Sequence, residues 1–120
     1  MGYKSEVAVV VKNEDYEKYI KGNSDLTNLM NIAEVTKNDD IVMIYWDWIK
    51  WYPEYTDIHA FNSILGCIAD NDHPYAFTRI GEEQGDIETR ECSGAEDEYL
   101  GEHIYPVTYI DRPTDWELIN

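Results

Sequence analysis

"IVMIYWDWIKWYPEY", residues 41–55, carries six aromatic rings, including Trp46, Trp48 and Trp51, three of the chain's four tryptophans. Such a stretch is either a ring platform for a ligand or a strand through the middle of a sheet. Side chains alternate across a strand. Ile41, Met43, Tyr45, Asp47 and Ile49 then share one face, and Val42, Ile44, Trp46, Trp48 and Lys50 share the other. Both faces are apolar as far as Tyr45 and Trp46, which predicts a central strand covered on both sides. Trp46 should be buried.

Past that point the strand ends and side chains must leave the core. Trp48, Trp51 and Tyr52 are therefore candidate anchors for a protein partner, since Trp and Tyr dominate interface hot spots. Trp51 should be partly exposed. Asp47, on the same strand, would need a partner if buried. Lys50, Arg79 or a tyrosine hydroxyl could serve.

Upstream, "SEVAVVVK" (5–12) is almost wholly apolar from Val7 to Val11 and reads as an inner strand. Asn13 is placed to cap a helix over "EDYEKYIK" that stops at Gly22. Ser24 or Asp25 could cap a second short piece in which Leu26, Leu29, Met30 and Ile32 recur at helical spacing. "AEVTK" is a short strand or turn. Downstream, Pro53 suits the first turn of a helix, and Tyr55, Ile58, Phe61, Leu65 and Ile68 continue it to "DNDHP". "YAFTRIGEEQGDIETREC" is a hairpin with a three-residue loop, Glu83-Gln84-Gly85. "HIYPVTYI" is a last strand at a sheet edge, because of Pro106. Trp116, Leu118 and Ile119 would dock the tail.

The order β-α-β-α-β-β-β describes one α+β domain over residues 1–120. It predicts a mostly antiparallel sheet with helices on one face, and a ferredoxin-like arrangement is one version of it.

Charge sets the strongest limit on function. Twenty-five acids against nine bases give a net charge of −16 over 120 residues, while 43% hydrophobic residues speak for a folded core. That field repels nucleic acid and anionic membrane and attracts basic protein surfaces. Neither nucleic acid nor membrane is an expected direct partner. Cys67 and Cys92 lie outside any CxxC spacing, and no export or membrane-spanning segment is read, so a reduced cytoplasm is the expected setting. A 67–92 disulfide stays open as the alternative.

No reaction is legible. Phosphate-binding loops and the GxSxG elbow are missing from the sequence. His59 and Ser63 share a helix face without an orienting third group. "DNDH" (70–73), with His59 and His103 remote, lacks the Gly and Glu of an EF-hand loop. The expectation is no catalytic residue, no metal and no cofactor. The alternative is a minor metal-dependent hydrolase using Asp47, Asp70, Asp72 and a histidine.

Residues 82–102 hold nine acids against one base, Arg90. Glu82, Glu83, Asp86, Glu88, Glu91, Glu96, Asp97 and Glu98 are the candidate contacts, forming a surface that imitates the phosphate rows of a nucleic acid. A solvated hairpin whose acidity only aids solubility is the competing reading.

The "WDWIKWY" stretch (46–52), followed by a helix and then "FTRIGE" (77–82), resembles small bacteriophage and prophage proteins that have no assigned function. The resemblance covers roughly residues 40–90. It implies only a setting, a phage gene acting in a bacterial cytoplasm, and no site residues. By analogy with small acidic phage proteins, and from the acid belt, the leading expectation is a protein that binds and inhibits or modulates a basic host or defence protein. The alternative is a phage structural or accessory protein whose acidity is incidental.

Overall fold

In the computed structural model, residues 2–38, 41–92 and 117–118 are described. The chain runs β1 (Ser5–Lys12), α1 (Asn13–Asp15) continuing as a π-helical turn (Tyr16–Ile20), a 3-10 turn (Ser24–Leu26) into α2 (Thr27–Asn31), β2 (Glu34–Asn38), β3 (Ile41–Ile49), α3 (Thr56–Asp70), β4 (Tyr75–Gly81), β5 (Ile87–Cys92) and β6 (Glu117–Leu118). The strands form one sheet in the order β5-β4-β1-β3-β2-β6, and each neighbouring pair is antiparallel. This is an α+β domain, as the sequence predicts. The succession from β1 to β4 is compatible with a ferredoxin-like arrangement. The expected strand over residues 103–110 lies outside the described residues.

The runs of apolar residues in β1 and β3 explain why these two strands occupy the centre. On one face Val7, Val9, Val11, Val42, Ile44, Trp46 and Phe77 meet Ile20, Leu26 and Leu29 and the α3 stripe Ile58, Phe61, Leu65 and Ile68. On the other face Val10, Met43 and Ala76 form a second buried cluster. The stretch from Val42 to Trp46, together with Trp51, is therefore core. Trp46 packs against Trp51 and Phe61 at centroid distances of 5.1 and 5.4 Å, and its Nε1 donates to the Leu29 carbonyl at 2.9 Å.

Several local expectations give way. Lys12, not Asn13, holds the cap position of the first helix, and its side chain does not cap the helix. Asn23, not Ser24 or Asp25, caps the second piece, its Oδ1 accepting from the Asp25 amide at 2.9 Å. Ile32, read as part of the helical stripe, is exposed. Pro53 lies in the turn before α3, whose cap is Tyr55. Residues 34–38 form a full strand. The hairpin loop has four residues between the Gly81–Asp86 pair, which is joined by the Gly81 amide donating to the Asp86 carbonyl at 2.8 Å. Gly85 still supplies the left-handed residue, at φ 85°.

The alternation along β3 also breaks before its end. Ser5 pairs with Ile49 but Val7 pairs with Trp46, so Glu6 alone faces both Asp47 and Trp48. That is a β-bulge. It returns Ile49 to the helix-side core, away from the face of Tyr45 predicted by strict alternation. It also leaves Asp47 exposed, so the carboxylate needs no buried partner.

Candidate functional site

The register gathers the predicted contacts at one end of the sheet. Ser5 pairs with Ile49 on one side and with Gly81 on the other, so the exit of β3 and the hairpin tip flank the start of β1. Strand spacing puts them about 10 Å apart. Trp48, Tyr52, Glu82, Glu83, Asp86 and Glu88 all belong to this end.

Within that group the roles differ from the expectation. Trp51 is only 6% exposed. The turn after β3 folds it inward onto Trp46, Phe61 and Phe77, so it is core and not an anchor. Tyr52 is half-buried, its ring tilted against that of Tyr55 at 5.0 Å, with its hydroxyl accepting from the Tyr3 amide at 2.6 Å. Trp48 is the ring that leaves the molecule, at 50% exposure. Its backbone sits at φ 49°, the left-handed region. A bulky residue there costs about 1–2 kcal/mol.

The acids divide as well. Asp86 receives both terminal nitrogens of Arg79, at 3.2 and 3.0 Å, and the Tyr3 hydroxyl at 2.6 Å. Glu88 accepts from Arg79 Nε at 3.1 Å and lies 3.3 Å from Arg90 Nε. Arg90 in turn covers the Phe77 ring at 4.0 Å and donates to Asn62 of α3 at 3.0 Å. The Arg79 guanidinium, then the Tyr3 hydroxyl, hold the Asp86 carboxyl below the usual carboxylate range. Arg79 is shifted up, first by its bonds to Asp86. Desolvation, then the bond to Asp86, raises the Tyr3 phenol. Asp86 and Glu88 are thus spent inside the protein.

What remains for a partner at the tip is Glu82, Glu83 and, further along β5, Glu91, all exposed. Between residues 79 and 91 five acids stand against two arginines, a surplus of three. Glu96, Asp97 and Glu98 lie outside the described residues. Glu82 also accepts from the Lys4 amide at 2.6 Å, and the Glu83 amide donates to the Tyr3 hydroxyl at 2.8 Å, so the tip is tied to the N-terminal segment. Gly81 makes room for this: a Cβ there would clash with Asp86 Oδ2 and the Tyr3 hydroxyl. Behind the tip a cavity of about 250 Å³ is lined by Trp51, Pro53, Asn62, Arg79, Glu88 and Arg90. Its guanidiniums are already matched by Glu88 and Asp86.

Arg79, a candidate partner for Asp47 in the sequence, serves Asp86 and Glu88 instead, and Tyr3 joins them unforeseen. A four-residue loop would have set Arg79 directly opposite Glu88, which is the observed pair. Tyr3 carried no signal.

The hydrolase alternative loses its geometry. Asp47 lies at the Ser5 end, whereas Asp70, Asp72 and His73 lie just before β4, whose first residue, Tyr75, pairs with Val11. The length of β1, about 23 Å, separates them. His73 instead meets Asp15. Cys67 and Cys92 are both free. No helix among the described residues is long and apolar enough to cross a membrane. Compared with known protein families, curated proteins and solved structures, the chain matches none.

Proposed function

We propose that this protein is an acidic binding module of phage type that seats Trp48 in a basic surface of a host or defence protein and thereby inhibits or modulates it. The observation that carries the reading is Trp48: a half-exposed indole held in a left-handed bulge, with only partial burial to offset the conformational cost. Exposed Glu82 and Glu83 at the same end, on a chain of −16, favour a cationic partner. An indole face with carboxylates near it suits Lys and Arg side chains, through cation–π contact and charge-assisted hydrogen bonds. The contact set is accordingly narrower than the acid belt of the sequence, because Asp86 and Glu88 serve the fold.

Affinity capture from a bacterial lysate at low and high salt tests this, with the wild type and three variants compared for the same captured protein. Trp48→Ala should reduce capture at every salt concentration. Glu82→Lys/Glu83→Lys should reduce it most at low salt, where screening is weak. Glu17→Lys/Asp25→Lys makes the same change in net charge on exposed helical positions and should leave capture nearly intact. Equal behaviour of the two double variants would mean that net charge alone attracts the partner.

A further inference from the structure

Residues 70–73 alone offer too few ligands for a metal; the fold brings in two more, Glu14 and Asp15, from the start of the first helix. The Asp15 side chain is 3% exposed, and its one side-chain partner among the described residues is His73, whose Nδ1 lies 3.0 Å from both carboxylate oxygens. A single imidazole N–H cannot saturate two oxygens that offer about four lone-pair sites. A buried carboxylate so thinly partnered is costly. Glu14 stands beside it, and ligand atoms of Glu14, Asp15 and His73 lie within 4.8 Å of one another. Lys12, 3.2 Å from Glu14, offsets part of this negative charge.

We propose that Glu14, Asp15 and His73 bind a first-row divalent cation, His73 through Nδ1 and each acid through one oxygen. One nitrogen and two carboxylates form a mixed donor set that suits Zn²⁺, Mn²⁺ or Fe²⁺. Ligands about 2.1 Å from an ion lie about 3.0 Å apart in an octahedral site and about 3.4 Å apart in a tetrahedral one. The Asp15–His73 separation of 3.0 Å therefore suits octahedral Mn²⁺ or Fe²⁺ directly and Zn²⁺ after a slight opening. Three protein ligands leave further positions for water. The backbone is irregular on both sides of the site. A π-helical turn starts directly after Asp15, and Asp72, directly before His73, is left-handed at φ 61°. π-Turns recur at functional sites. The ion would clasp the first helix to the segment that leaves α3.

Calorimetric titration of chelator-stripped protein with Zn²⁺ at physiological salt tests the proposal. One site per chain is expected, with a raised melting temperature. Glu14→Gln changes an exposed residue and should weaken binding at least tenfold; His73→Ala should abolish it; Asp70→Asn, an exposed acid at the end of α3, should leave it unchanged. Mn²⁺ should broaden the ring resonances of His73 before those of His59. Should His73→Ala unfold, Glu14→Gln and the Mn²⁺ broadening still decide. Absence of saturable binding overturns the proposal, and so does equal affinity in wild type and Glu14→Gln, which would indicate a diffuse ion atmosphere around an acidic chain.

Discussion

The two ends of the sheet handle negative charge in opposite ways. At the Ser5 end, Asp86 and Glu88 share Arg79, Arg90 and Tyr3 in a network where each acid has at least two side-chain neighbours. At the Lys12 end, Asp15 is nearly fully buried and has His73 alone among the described side chains. The first arrangement is redundant and half-solvated, so one deletion leaves other donors and water. The second is brittle, because removing one ring strands a carboxylate away from water.

The largest expected effect follows from that brittleness. His73→Ala in metal-free protein should cost about 2–3 kcal/mol in urea unfolding, because breaking a buried pair leaves its charge uncompensated and the partly exposed His73 moderates the penalty. Tyr3→Phe, which removes one of the donors to Asp86, should lower the urea midpoint much less. Equal losses would break the contrast between the ends.

That contrast was only partly legible in the sequence. The inner strands were, because uninterrupted apolar runs in 5–12 and 41–46 leave no solvent face, and α3 was, because Ile58, Phe61, Leu65 and Ile68 keep helical spacing. The bulge at Asp47–Trp48 was not. Alternation is a local rule, whereas the bulge comes from β1 and β3 accommodating two residues against one. It turns Trp48 to solvent while the turn after β3 folds Trp51 inward, and neither event leaves a mark in the alternation, so the two indoles look alike as anchors in the sequence. The pairing of Asp15 with His73 spans 58 positions and carries no local pattern, whereas Arg79 opposite Glu88 needed only the correct loop length.

An intermediate effect concerns pH at the Ser5 end. The lowered Asp86 pKa means that the folded state binds its proton less readily than the unfolded chain does. This stabilisation is present above the ordinary carboxylate range, near about 4, and is lost as pH falls through the lowered value. Arg79→Met removes the main cause. Urea midpoints of wild type and Arg79→Met should therefore differ at neutral pH and converge in acid. Tyr3 acts with the opposite sign. Its raised pKa gives stability that is present below about 10 and lost as pH rises further, so Tyr3→Phe should flatten the alkaline limb. A gap between wild type and Arg79→Met that stays constant from neutral to strongly acid conditions would assign the role of Arg79 to packing rather than charge.

The smallest effect isolates the backbone at the bulge, where the redundant end presents its indole. Trp48→Asn and Trp48→Val both discard the ring and the partial packing of its stem, so that loss cancels between them. They differ in what a left-handed φ costs: Asn visits that region readily, whereas a β-branched residue is a steric outlier there. Asn should leave the protein more stable than Val by about 1 kcal/mol. Both should lose the partner captured through Trp48. The combination would separate conformational strain, which the fold bears, from the contact that the strain presents. If Asn and Val are equally stable, the bulge relaxes once the ring is gone, and the left-handed geometry belongs to the indole's own packing rather than to the register between β1 and β3.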